Sequence, residues 1–149
     1  MAITEVSLSL EEGLVCQLFT KSHIVAADDP ADPDVEDEGP NPLEYLLAAL
    51  ASSAAMALKE EAGRHDLGVE EVQVSVKWRT SHRLLLEPGE TLPPTAIQRE
   101  MRIRVARDIS EVERDALLAA AKRSPVDRAL AGGTRVEDAL FVFGYASEE

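Results

Sequence analysis

The chain of 149 residues has one cysteine, Cys16, so no disulfide can close within it and no cysteine-rich metal site can be built. Aromatic residues make up only 4% of it, which leaves Ala, Val, Leu and Ile to form the core. A core of such small groups gains from burial by a second chain. Positive charge is also scarce: 15 Lys and Arg stand against 28 Asp and Glu, a net charge of -13. Phosphate and anionic lipid repel a surface of that sign, which argues against nucleic acid and membrane as partners. No long apolar run is present. The longest, Leu43 to Leu58, carries Glu44, Ser52 and Ser53 and is too short and too polar to span a bilayer. Met1 to Glu5 lack the basic start and apolar centre of a signal peptide, so a cytoplasmic protein is expected. The three histidines, His23, His65 and His82, have no metal-ligand spacing, and neither metal nor cofactor is expected.

What is present suits one domain over residues 1–149. Ile3 to Leu10 alternates apolar and polar residues as a half-buried strand does; Glu12-Gly13 makes a turn, and Leu14 to Ala26 reads as a second strand or strand pair. Residues 28 to 38 hold seven acids with Pro30 and Pro33, the composition of an exposed loop. A calcium loop would need Gly where Asp37 stands.

The clearest helix follows. Asn41 is its N-cap, Pro42 its first residue, and Glu44 completes a capping box. Leu43, Leu46, Leu47, Leu50, Ala54, Ala57 and Leu58 recur at helical spacing, and Ala48, Ala49, Ala51 and Ala55 occupy the other faces. A helix small or apolar nearly all round is expected to be buried on most sides, and Gly63 is expected to end it. Val72 to Trp78 and Met101 to Val105 alternate as strands, with Leu84 to Leu86 between them needing cover. Ser110 and Glu113 form a capping box before a helix to about Arg123. Ser124-Pro125-Val126-Asp127 repeats the device before a short helix that Gly132-Gly133 ends. Val136 to Tyr145 reads as a last strand. The whole is an α+β arrangement.

Two segments resemble the signatures of the OsmC/Ohr family. One is Gly39-Pro40-Asn41-Pro42-Leu43-Glu44, leading into the Leu/Ala-rich helix. The other is Ser124-Pro125-Val126-Asp127, with Gly132-Gly133 after it, where the family has Cys-Pro-Val-His. His23, followed by Asp29-Pro30, resembles the family's passage from strand to loop. The resemblance implies antiparallel sheets packed on a long buried central helix, in an intertwined homodimer with its sites at the interface. It also implies a role in the oxidative stress response through reduction of organic hydroperoxides. In that chemistry a cysteine on the central helix attacks the peroxide, and a second cysteine resolves the sulfenic acid as a disulfide. An Arg and a Glu near the first cysteine keep it a thiolate.

The positions that match those cysteines are Ser53 and Ser124, and Asp127 stands where the family has His. A serine hydroxyl is not oxidised reversibly by peroxide and forms no disulfide. The expectation is therefore a degenerate site that binds rather than reduces. A small hydrophobic ligand would sit at the dimer interface, against Ser53, Leu50, Ala57 and Glu44. Both serines also have plain structural readings. Ser53 would be a small residue bonded to a carbonyl one turn back, and Ser124 a helix cap whose box Asp127 completes. Two other readings stand beside this one: altered peroxide or hydrolytic chemistry through Cys16 or Ser53, and an interaction subunit of an active homologue. Mid-strand Cys16 reads as inert filling. No G-x-S-x-G elbow surrounds Ser53, which disfavours a serine hydrolase. Arg79, Arg83, Arg102 and Arg104 read as a solvated sheet face paired with nearby acids.

Overall fold

The computed structural model describes residues 6–9, 16–28, 36–78, 97–133 and 137. The Glu12-Gly13 turn, Leu84 to Leu86, and all of the strand expected from Val136 to Tyr145 except Glu137 lie outside them.

Three short strands, β1 (Ser7–Ser9), β2 (Cys16–Phe19) and β3 (Ile24–Ala27), form one antiparallel sheet in that order. The expected strand pair within Leu14 to Ala26 is thus β2 and β3, with Cys16 opposite Ala27 and Phe19 opposite Ile24. At the turn, Thr20 N–H donates to the His23 carbonyl at 2.9 Å, and His23 N–H donates to Thr20 Oγ1 at 3.1 Å. Asp28 departs from the exposed loop expected there, being only 5% exposed. Its N–H donates to the Pro40 carbonyl at 3.3 Å, and its carboxylate accepts from Glu38 N–H at 3.1 Å. These bonds draw the end of β3 against Gly39 and Pro40. The backbones meet so closely that a Cβ on Gly39 would lie 2.5 Å from the Ala26 carbonyl oxygen. The Tyr45 hydroxyl donates to that same carbonyl.

Helix α1 (Pro42–Arg64) starts as its sequence dictates. Asn41 Oδ1 accepts from Glu44 N–H at 3.0 Å, and Glu44 Oε2 accepts from Asn41 N–H at 2.9 Å. Its end differs from expectation. Gly63 lies inside the helix, and the left-handed residues come later, at Asp66 (φ 52°) and Gly68 (φ 62°). Leu67 sets the stop: its N–H donates to the Ala62 carbonyl at 3.1 Å and its side chain is wholly buried. Burial on most sides is not met within one chain. The buried residues of α1 are Leu50, Ala54, Leu58 and Ala62, a single stripe at i, i+4 spacing, while Ala48, Ala49, Ser52 and Met56 are exposed. Among the described residues, packing reaches this stripe and leaves the small-residue face of the helix open.

That packing comes from β4 (Val69–Lys77) and β5 (Gln98–Val105), an antiparallel pair with Val72 opposite Ile103 and Val74 opposite Met101. Helix α2 (Glu111–Lys122) covers another side of the stripe, and the short α3 (Pro125–Ala131) follows it. The Ser110–Glu113 capping box is present, with bonds of 3.2 and 2.9 Å. Gly133 (φ 61°) lies just past α3. The core joins Ala54, Leu58, Ala62 and Leu67 to Leu117 and Ala121, and half-buried Val69, Val72, Met101, Ile103, Val105 and Ile109 pack around it. Three of its buried residues are alanines, which let backbones approach closely in place of aromatic filling. Arg107 ties the end of α1 to the start of α2. Its guanidinium donates to the His65 carbonyl at 2.8 Å and pairs with Glu113 at 2.7 Å. Among the described residues, no helix is long and apolar enough to cross a membrane.

Candidate functional site

Ser53 and Ser124 lie 71 positions apart in sequence, and each binds the first turn of α3, Ser53 at Val126 and Ser124 at Asp127. Ser53 is half-buried at the edge of the α1 stripe, and its Oγ accepts from Val126 N–H at 3.4 Å. This replaces the bond expected to a carbonyl one turn back. The neighbouring Ser52 makes that bond instead, donating to the Ala49 carbonyl at 3.2 Å. Ser53 is turned aside because an unsatisfied N–H at the start of α3 faces it across the helix contact.

Ser124 is 1% exposed. It caps α3, its Oγ accepting from Asp127 N–H at 3.3 Å. The box is not closed in the expected way. Ser124 N–H donates to the Ala121 carbonyl at 3.3 Å, and the Asp127 carboxylate turns to the Ser124 hydroxyl instead, at 2.5 Å. The reason is Arg99, whose Nη1 lies 2.8 Å from the same carboxylate oxygen. Burial pushes the Asp127 carboxyl up, but the hydrogen bonds from Arg99 and Ser124 outweigh it and hold the group below the ordinary carboxylate range.

Arg99 escaped the sequence reading, although the signal was there. In β5, Met101, Ile103 and Val105 face inward while Arg102 and Arg104 face out. Arg99 has the parity of the inward set. A guanidinium in that register needs an anion beside it, and half-buried Asp127 is it. Arg102 and Arg104 behave as expected of a solvated face, pairing with Glu100 and Glu71 at 2.5 and 3.2 Å. Arg79 and Arg83 lie outside the described residues.

The remaining candidates are dispersed. Leu50 is buried and Ala57 half-buried, on the same side of α1 as Ser53. Glu44 stands exposed at the helix start, its carboxylate held in the capping box. Cys16 is half-buried at the start of β2, in the other sheet. His65 pairs with Glu61 at 3.2 Å and His23 sits at the β2–β3 turn, so no described histidine contacts either serine. Among the described residues, no three His, Cys, Asp or Glu side chains gather to hold a metal ion. The site is thus two hydroxyls on the first turn of α3, with that of Ser124 bonded to a carboxylate whose basicity its own partners suppress.

A family model described as OsmC-like protein matches residues 35–137. No curated protein matches the sequence. The fold is similar to that of an OsmC-like protein from Mycoplasma pneumoniae, with 20% identity over 88% of this chain and 89% of that one and a TM-score of 0.68. It is also similar to an organic hydroperoxide resistance protein OsmC from Legionella pneumophila (17% identity, 89% and 91% of the chains, TM-score 0.58). A third likeness is to the organic hydroperoxide resistance protein OhrB of Bacillus subtilis (16% identity, 88% and 92%, TM-score 0.57).

Proposed function

Because the chain belongs to the OsmC-like family, matched over residues 35–137, we propose that it keeps the family's architecture and has lost its thiol peroxide chemistry. One observation carries the reading. The two serines that match the family's cysteine positions both bind the first turn of α3, and both hydroxyls are engaged in helix-start hydrogen bonds. Hydroperoxide reduction needs an atom that takes up oxygen and then gives up the oxidised state to a second thiol. An oxygen already bound to carbon does neither. The sole sulfhydryl, Cys16, has no second cysteine in its chain to resolve it.

The protein is then a cytoplasmic binding homodimer of one domain per chain. The exposed small face of α1, together with exposed Phe19, Ile24 and Val25 of the N-terminal sheet and Val6 just before it, supports pairing with a second copy. A small apolar ligand would lie against Leu50, Ser53 and Ala57, which share one side of α1. Glu44 could reach such a ligand only by giving up its bond to Asn41. An assay of organic hydroperoxide reduction with a dithiol donor tests the proposal. Turnover at the no-protein rate supports it, and turnover proportional to protein concentration overturns it.

A further inference from the structure

A cleft lies away from the two serines. It is an open cleft of about 200 Å³ between α1, β5 and α2, walled by Leu58, Met101, Ile103, Leu117 and Leu118. Among the described residues, one charged side chain lines it, Arg114 of the first turn of α2. Leu58 and Ser53 are five residues apart on α1, roughly 140° around the helix, so the cleft and the serine pair occupy different sides of it.

Arg114 is one of three described arginines, with Arg123 and Arg128, whose guanidinium has no carboxylate partner, and of the three it is the one that lines the cleft. Acids outnumber bases by 13, and Arg64, Arg99, Arg102, Arg104 and Arg107 each have a carboxylate partner. Among the described residues, the Arg114 guanidinium has no hydrogen-bond or ion-pair partner, and its backbone N–H donates to the Ser110 carbonyl at the helix start. An apolar wall beside a single unengaged guanidinium is complementary to a molecule with an apolar tail and one carboxylate. At roughly 30 Å³ per water-sized unit, the cleft holds a tail of about six to eight carbons.

We infer that this cleft binds a medium-chain monocarboxylate, its tail between α1 and α2 and its carboxylate on Arg114. The inference does not rest on the function proposed above. Isothermal titration of the full chain with octanoate, and with octanol as the neutral match, tests it. Octanoate should bind saturably, at one molecule per chain and at least tenfold tighter than octanol. Arg114→Gln, a change at an exposed position, should remove that preference and leave octanol unchanged. Leu118→Trp, which fills the lip, should weaken both ligands at least tenfold. Octanoate binding no tighter than octanol overturns the inference, as does a preference that survives Arg114→Gln. Binding that Ser53→Leu abolishes would place the ligand at the serine pair and overturn it as well.

Discussion

Arg99 and Asp127 form an ion pair between β5 and α3 with side chains only 12% and 19% exposed. The pair fixes the short helix that carries Ser124 against the sheet. Removing one partner of a buried pair strands the other charge. Arg99→Met should therefore cost about 3 kcal/mol in urea unfolding. The double variant Arg99→Met/Asp127→Leu should recover most of that loss, since no buried charge remains. Equal destabilisation in the single and double variants would mean that the stranded charge is not the cause.

Two glycines should respond to alanine in opposite directions. At Gly39 the new methyl would lie 2.5 Å from the Ala26 carbonyl oxygen and 2.9 Å from its carbon, both backbone atoms. Forcing them apart should destabilise the protein by about 1–3 kcal/mol. At Gly63 nothing lies within 4 Å of the added Cβ, and the residue is helical. There alanine should stabilise by up to about 1 kcal/mol through helix propensity. Thermal melts of the two variants decide it, and a shared sign would contradict the placement of one of them.

Acid should weaken the fold in a defined window. The hydrogen bond from Arg107, with those from Ser110, draws the Glu113 carboxyl down to about 2, and Asp127 is also held below its ordinary value. Both groups bind protons more tightly in the unfolded chain, so the stability they confer is complete above the ordinary carboxylate range. It is lost as pH falls from about 4.5 toward 2. Melting temperatures measured from pH 6 to pH 2 should be level in this respect at the upper end and drop through that window. Arg107→Gln should make the drop shallower. An unchanged drop in Arg107→Gln would count against the link between the helices.

Sedimentation should report a dimer at micromolar concentration. Met56 is 71% exposed in the single chain, on the small-residue face of α1. Met56→Asp places a charge on that face and should shift the equilibrium to monomer without unfolding the chain. A wild-type monomer, or a dimer indifferent to this change, would remove the interface proposed for α1.

The local devices were legible in the sequence. Asn41, Ser110 and Ser124 announced three helix starts, and alternation announced β4 and β5, because caps and strand faces depend on residues a few positions apart. Three things were not legible. Gly63 looked like the residue just past the helix, but Leu67 buries itself beyond it and moves that position three residues on, to Asp66. The stripe of Leu50, Ala54 and Leu58 was readable, but the small residues on the other faces gave no sign that one chain leaves Ala48, Ala49, Ser52 and Met56 exposed. Ser53 looked self-satisfied within its helix, yet its partner is an N–H 73 residues away. Contacts at that separation depend on how α1 and α3 pack, which periodicity does not encode. Arg99 lies between these cases: its strand parity was readable, but the identity of its anion was not.

The most direct test of the account is a single exposure of the protein to one equivalent of an organic hydroperoxide, with no reductant present and Cys16 alkylated. The peroxide remaining after seconds is then measured. The account gives full recovery of peroxide and an unchanged protein mass. Consumption of one equivalent per chain, with oxygen found on residues near Ser53 or Ser124, would contradict it.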